Sequence, residues 1–208
     1  MSKRKRKEKV IYDPPSPPQW KGRDSVDLAY QLNRRVFGLV RDMAARPGGD
    51  WPFIAHDREL WAALDAGAIE RAARFPFVVL DVHFTEVEWW RSGSKPIEVS
   101  FWPAMLSEQL VSETLIFAWH TVKWDRRVAR LALGMVPGVA EVIAALTPHQ
   151  LDSISAEHCG ALRLRWQHDH DFWTRLLVAA RDSDQETIAD IHLHAKLLLF
   201  NRLVQVHK

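Results

Sequence analysis

One cysteine, Cys159, is all the chain holds, which excludes an internal disulfide and any cysteine-rich zinc site built within a single polypeptide. A reducing compartment is expected. Nowhere is there an uninterrupted apolar run of about 18 residues, the length that suggests a membrane-crossing helix. The basic start Lys3-Arg4-Lys5-Arg6-Lys7 leads into charge and proline rather than the apolar segment an export signal needs. A soluble, cytoplasmic protein is therefore expected. Missing too are the spacings that mark common catalytic sites: G-x-S-x-G, a phosphate loop, G-x-G-x-x-G after a strand, and H-E-x-x-H. With no nucleophile-plus-base motif, the residues predict no enzyme and no cofactor.

What is present is a chain of 208 residues, 47% hydrophobic, enough for one core or two small ones side by side. The net charge of +2 hides an uneven distribution. Residues 1–23 hold eight Lys/Arg against two acidic groups, and the remainder is mildly acidic. Attraction to phosphate must then come from the tail or from local patches. Ten tryptophans suit both a thick core and a protein interface.

Residues 1–22 combine the basic run with Pro14-Pro15-Ser16-Pro17-Pro18 and read as a disordered tail. From Asp24, Leu28, Leu32, Val36, Leu39, Val40 and Met43 recur at helical spacing until Pro47-Gly48-Gly49. A helix over 56–64 and a short one through Arg74 follow. Leu80, Val82 and Phe84 then alternate with Asp81 and His83, as in a strand. Ser92-Gly93-Ser94-Lys95-Pro96 is the clearest break. Beyond it the pattern predicts a long helix over 103–133, helices over 139–146 and from the capped start Thr147-Pro148 to His158, a strand at Leu162-Arg163-Leu164-Arg165-Trp166, and closing helices over 169–181 and 185–206.

A shift of 82 residues places Glu59-Leu60-Trp61-Ala62-Ala63-Leu64 on Glu141-Val142-Ile143-Ala144-Ala145-Leu146. The same shift places Leu80-Asp81-Val82-His83-Phe84 on Leu162-Arg163-Leu164-Arg165-Trp166. The common shift points to a weak tandem duplication.

Leu133-Gly134-Met135, Ala144-Ala145-Leu146-Thr147 with Gln150-Leu151, Leu164-Arg165-Trp166 and Ile191-His192 in a Leu-rich final run stand in the order and spacing of one family. Over residues 104–204 the chain resembles FlhD, the non-zinc subunit of the bacterial flagellar master activator. The resemblance implies a mostly helical domain that pairs with a second copy of itself, associates with an FlhC-type zinc-binding subunit and touches promoter DNA beside it. The cysteine of known relatives aligns with Leu162, and Cys159 lies three residues away, so no inter-subunit disulfide is carried over.

The expected fold is mainly α: a tail at 1–22, a degenerate FlhD-like repeat at 23–98 and an FlhD-like domain at 99–208, each unit with a short strand, packed as an internal pseudo-dimer. Candidate interface residues are Leu80, Val82, Phe84, Leu162, Leu164 and Trp166. Candidate DNA contacts are the tail cations Lys3, Arg4, Lys5, Arg6, Lys7 and Lys9, together with Arg126, Arg127 and Arg130 on one helix flank and Arg163 and Arg165 on the polar side of a strand. Arg34, Arg35 and Arg41 form a similar flank, and pairing with neighbouring acids is the plainer reading of such clusters. His168-Asp169-His170-Asp171, with His192 and His194, offers imidazole and carboxylate. The quartet spans a helix start where Asp commonly caps, and histidines two apart on a helix diverge, so no metal is expected there. The predicted function is transcriptional activation or coactivation with an FlhC-like partner on DNA. The competing readings are an adaptor or antagonist without DNA contact, and a metal-dependent enzyme.

Overall fold

Ala29, Leu32, Val36, Val40 and Met43 fall three and four residues apart, and that spacing gives the first helix, α1 (Gly22–Ala45), a single buried face. Leu28, placed on the same stripe from sequence, is 40% exposed. The computed structural model describes residues 22–47, 51–92 and 102–205. The basic tail, Gly48-Gly49 and the break at Gly93 to Pro96 lie outside the described residues.

The helix expected over 56–64 is the shorter α3 (Arg58–Ala62), and ahead of it stands a helix the sequence reading lacked, α2 (Pro52–His56), because Asp57 leaves the helical region between them. After α4 (Ala66–Ala72) the chain runs extended through the two-residue strand β1 (Leu80–Asp81) into α5 (Val87–Ser92), a helix with no counterpart in the sequence reading. The long helix expected over 103–133 is likewise divided, into α6 (Ala104–Trp124) and α7 (Arg126–Leu133). Asp125 sits at the break with extended backbone. Its amide closes α6 on the Thr121 carbonyl, and its carboxylate accepts from the amides of Arg127 and Val128 to start α7. Then come α8 (Pro137–Ala145), α9 (Pro148–Glu157), β2 (Arg163–Leu164), α10 (His170–Asp182) and α11 (Gln185–Gln205). The fold is mainly α, with β1 and β2 pairing antiparallel as the one sheet among the described residues.

Two layers of contact organise these elements. Within each half the long helix is backed by its own short ones: α1 by α3 and α4, and α6 by α8 and α9. Between halves the helix that follows each strand crosses over. α10 packs on α3 and α4, and α5 packs on α8. Gly138 marks the second crossing, since a Cβ there would come 2.9 Å from Val87. Gly134, which caps α7 in the left-handed region, lies so close to Leu199 of α11 that a side chain would collide.

Several local features recur at a near-constant offset between the halves. Asp65 caps α4 by accepting from the Ala68 amide, and Thr147, 82 positions on, caps α9 by accepting from the Gln150 amide. Ser25, Ala29, Leu32, Asn33, Val36 and Val40 are buried on α1. On α6, Ser107, Val111, Thr114, Leu115, Ala118 and Val122 are buried at the same offset. Two residues after each strand stands a non-glycine residue with positive φ, His83 (51°) and Trp166 (54°). Each holds that costly conformation in the same way. The His83 carbonyl accepts from the Glu86 amide and from Trp90 Nε1, and the Trp166 carbonyl from the Asp169 amide and Trp173 Nε1.

Candidate functional site

The seam between the halves is built first from backbone. Leu80 faces Leu164 and Asp81 faces Arg163 across the strand pair. On either side the Val78 amide donates to the Ala132 carbonyl, the Arg165 amide to Val79 and the Val136 amide to Phe84. From α1, the buried Asn33 accepts from the Val79 amide at 2.9 Å and donates to the Phe77 carbonyl at 2.8 Å, fixing the extended segment from behind. Sequence reasoning passed over Asn33; a polar residue interrupting an otherwise apolar helical stripe was the available signal. Of the six residues read as interface, Leu80, Val82, Phe84, Leu162 and Leu164 are buried along this seam and Trp166 is half-buried against Phe77.

Charge is threaded through the seam. The Arg165 guanidinium is 3% exposed, donates to the carbonyls of Val78 and Leu133, and lies 3.8 Å from the Asp81 carboxylate. This corrects the expectation that Arg165 faces phosphate: its Nε and one Nη donate to buried carbonyls, and a buried cation with such partners is a cross-link between halves. Burial alone raises the Asp81 carboxyl, but Arg165, Arg202, Arg163 and the Phe84 amide together outweigh it and hold Asp81 below the usual carboxylate range. Burial pulls Arg165 down while Asp81 opposes, and an arginine begins so far above neutrality that it stays charged. Arg163 donates to Glu86 at 2.8 Å and lies 2.6 Å from His83 Nδ1. For Glu86, burial raises the carboxyl, yet the hydrogen bonds from Arg163 and His83 prevail and lower it.

An open cleft of about 860 Å³ lies beyond the strand ends. Arg163, Arg165 and Arg202 line it together with Asp81, Asp169 and Asp171, so its wall carries no excess of either sign. Asp169 caps α10 by accepting from the Phe172 amide at 3.0 Å, as its position after the strand suggested. His192 does not join it. Its ring packs 4.2 Å from that of Phe75, and burial pushes it down to about 4.

The arginines expected to meet DNA divide. Arg126 and Arg127 are exposed at the start of α7, and Arg130 is half-buried. In the first half, Arg34 pairs with Glu70 at 3.6 Å, Arg35 with Glu113 and Arg41 with Asp42. The tail cations lie outside the described residues. Most of the tryptophan content is core: Trp61 and Trp173 are buried against each other and against Phe37 and Phe53.

One surface went unnoticed in the sequence. Leu193, Leu197, Phe200 and Val204 are 48–61% exposed at spacings of four, three and four along α11, the pattern of a helix-pairing seam. The opposite face, with Ile188, Ile191, Ala195, Leu199 and Leu203, is buried. Both faces of α11 are apolar, so composition alone could not tell the free one. Among the described residues no single helix is long and apolar enough to cross a membrane.

Neither the curated proteins nor the solved structures include a match to this chain. Residues 111–205, from within α6 to the end of α11, match the model of the family described as flagellar transcriptional activator (FlhD), and over this C-terminal segment the chain is similar to that family.

Proposed function

We propose that this chain is a transcriptional regulator that folds as an internal pseudo-dimer and works in complex with an FlhC-like zinc-binding subunit on promoter DNA. The observation that carries this reading is the family match over residues 111–205, since that family consists of transcriptional activators. The pseudo-dimer is supported by the paired strands, the matching caps at Asp65 and Thr147, and the equivalent carbonyl locks made by Trp90 and Trp173. In this reading residues 23–98 act as a degenerate first copy and residues 99–208 as the second. One polypeptide then supplies both halves, and the exposed apolar row on α11 is left for the partner. Arg126 and Arg127, with the tail cations, supply the phosphate contacts.

Co-expression with an FlhC-like subunit, followed by a mobility shift on its promoter, tests the reading. Activation requires that the joined pair shift DNA more strongly than the partner alone, and that the gain fall with rising salt. A second reading, an adaptor or antagonist without DNA contact, is favoured by the pairing of Arg34, Arg35 and Arg163 with Glu70, Glu113 and Glu86. Loss of the partner's own shift on adding this chain would select it.

A further inference from the structure

His56 closes α2, Asp57 joins α2 to α3, and His170 opens α10, so a residue pair from the first half meets a single residue from the second. One ligand-capable atom from each lies within 4.8 Å of the other two. The imidazoles of His56 and His170 stack with centroids 4.6 Å apart, and His56 Nδ1 is 3.2 Å from Asp57 Oδ1. Asp57 is 5% exposed, and its Oδ1 accepts from the hydroxyl of Thr174 at 2.6 Å, one turn along α10 from His170. His170 Nδ1 is sealed from solvent without a hydrogen-bond partner among the described residues, an arrangement that is costly for an imidazole nitrogen and calls for an explanation.

We propose that His56, Asp57 and His170 bind a divalent first-row transition-metal ion, with Zn2+ as the ion to test first. Two imidazoles and a carboxylate form a borderline donor set that suits Zn2+ and its neighbours rather than the all-oxygen preference of Mg2+ or Ca2+. Asp57, held by Thr174, is the oriented ligand, and Thr174 is a positioning residue. His56, more than half exposed, leaves the fourth position open to water. The ion would pin the α2–α3 corner to the start of α10, joining the halves at a point outside the strand pair. Neither the regulatory assignment nor the partner is needed for this site.

Calorimetric titration of the full chain with Zn2+, against a competing chelator, tests it. The expected result is one ion per chain and a higher Tm with Zn2+ than without. His170→Gln should abolish saturable binding and His56→Gln the rise in Tm, whereas His168→Gln should leave both unchanged. Thr174→Val should weaken binding roughly 10–100-fold, the usual cost of losing an orienting partner. Since His56 lies at the surface, H56Q keeps the fold testable by circular dichroism if H170Q does not fold. Absence of saturable binding to the unaltered chain, or binding that survives both H56Q and H170Q, overturns the proposal.

Discussion

His192 packs its ring against Phe75, and burial lowers its pKa from 6.5 to about 4, with the Ala72 backbone opposing and Lys196 assisting. The unfolded chain therefore takes up a proton on this imidazole as pH falls below 6.5, while the folded chain does not until about 4. Stability should drop across that window by about 3 kcal/mol from this group alone. Urea unfolding of the natural chain and of His192→Gln at pH 7 and pH 4.5 separates this contribution from the other acid-linked groups. An equal pH dependence in both proteins would remove the role assigned to His192. Arg165 acts in the opposite sense, as a charge that must remain. Arg165→Gln leaves the buried Asp81 with Arg202 as its one remaining cation at 3.8 Å and removes the guanidinium from the Val78 and Leu133 carbonyls, and breaking a buried pair of this kind costs about 3–5 kcal/mol. Denaturant midpoints give that loss directly, and a change under about 1 kcal/mol would mean that the strand pair does not depend on the guanidinium.

Among the elements, α11 has two apolar faces with different fates. Leu199 and Leu203 are buried against the body, while Leu197 and Phe200 face out. Leu197→Asp should therefore leave the denaturation midpoint within about 0.5 kcal/mol of the natural value, as surface changes do, while it weakens association with an FlhC-like subunit by tenfold or more, about 1.4 kcal/mol. Co-purification and sedimentation report both quantities, and association that withstands the substitution would exclude this face as the docking surface. Helices of this length were readable in the sequence because apolar spacing repeats every turn. The break at Asp125 was not: an aspartate within a helical pattern also reads as a solvated surface position, and only its cap bonds to Arg127 and Val128 distinguish the two. The strands were readable in place but not in extent, shrinking from five alternating residues to two. Beyond Leu164 the chain turns through the left-handed Trp166 and leaves the ladder.

For the molecule as a whole, the crossing of α5 and α10 means that neither half encloses its own core. Removing residues before 102 would expose the face of α10 that covers α3 and α4 and the edge of β2 that pairs with β1. The segment 102–205 made alone should then either self-associate or fail to fold cooperatively, whereas the whole chain should unfold in one transition. Sedimentation equilibrium on the segment decides this, and a stable folded monomer would count against the pseudo-dimer.

A fixed shift of 82 residues, read from the sequence, does not run through both halves. The caps Asp65 and Thr147 keep the shift of 82, but the strands at 80–81 and 163–164 already stand 83 apart, as do His83 and Trp166, Glu86 and Asp169, and Trp90 and Trp173, so the match of Leu80–Phe84 to Leu162–Trp166 at a shift of 82 is off by one residue. By itself the sequence determined the helical class, the place of the longer helices and of the two strands, and the family likeness of the second half, since each rests on spacings within a few turns of chain. Tertiary structure alone decided that Arg165 is buried, that the outer row of α11 is free and that His56 lies beside His170. These depend on contacts between residues as much as 117 positions apart, such as Asp57 with Thr174, and no local periodicity records which distant surface will cover a given side chain.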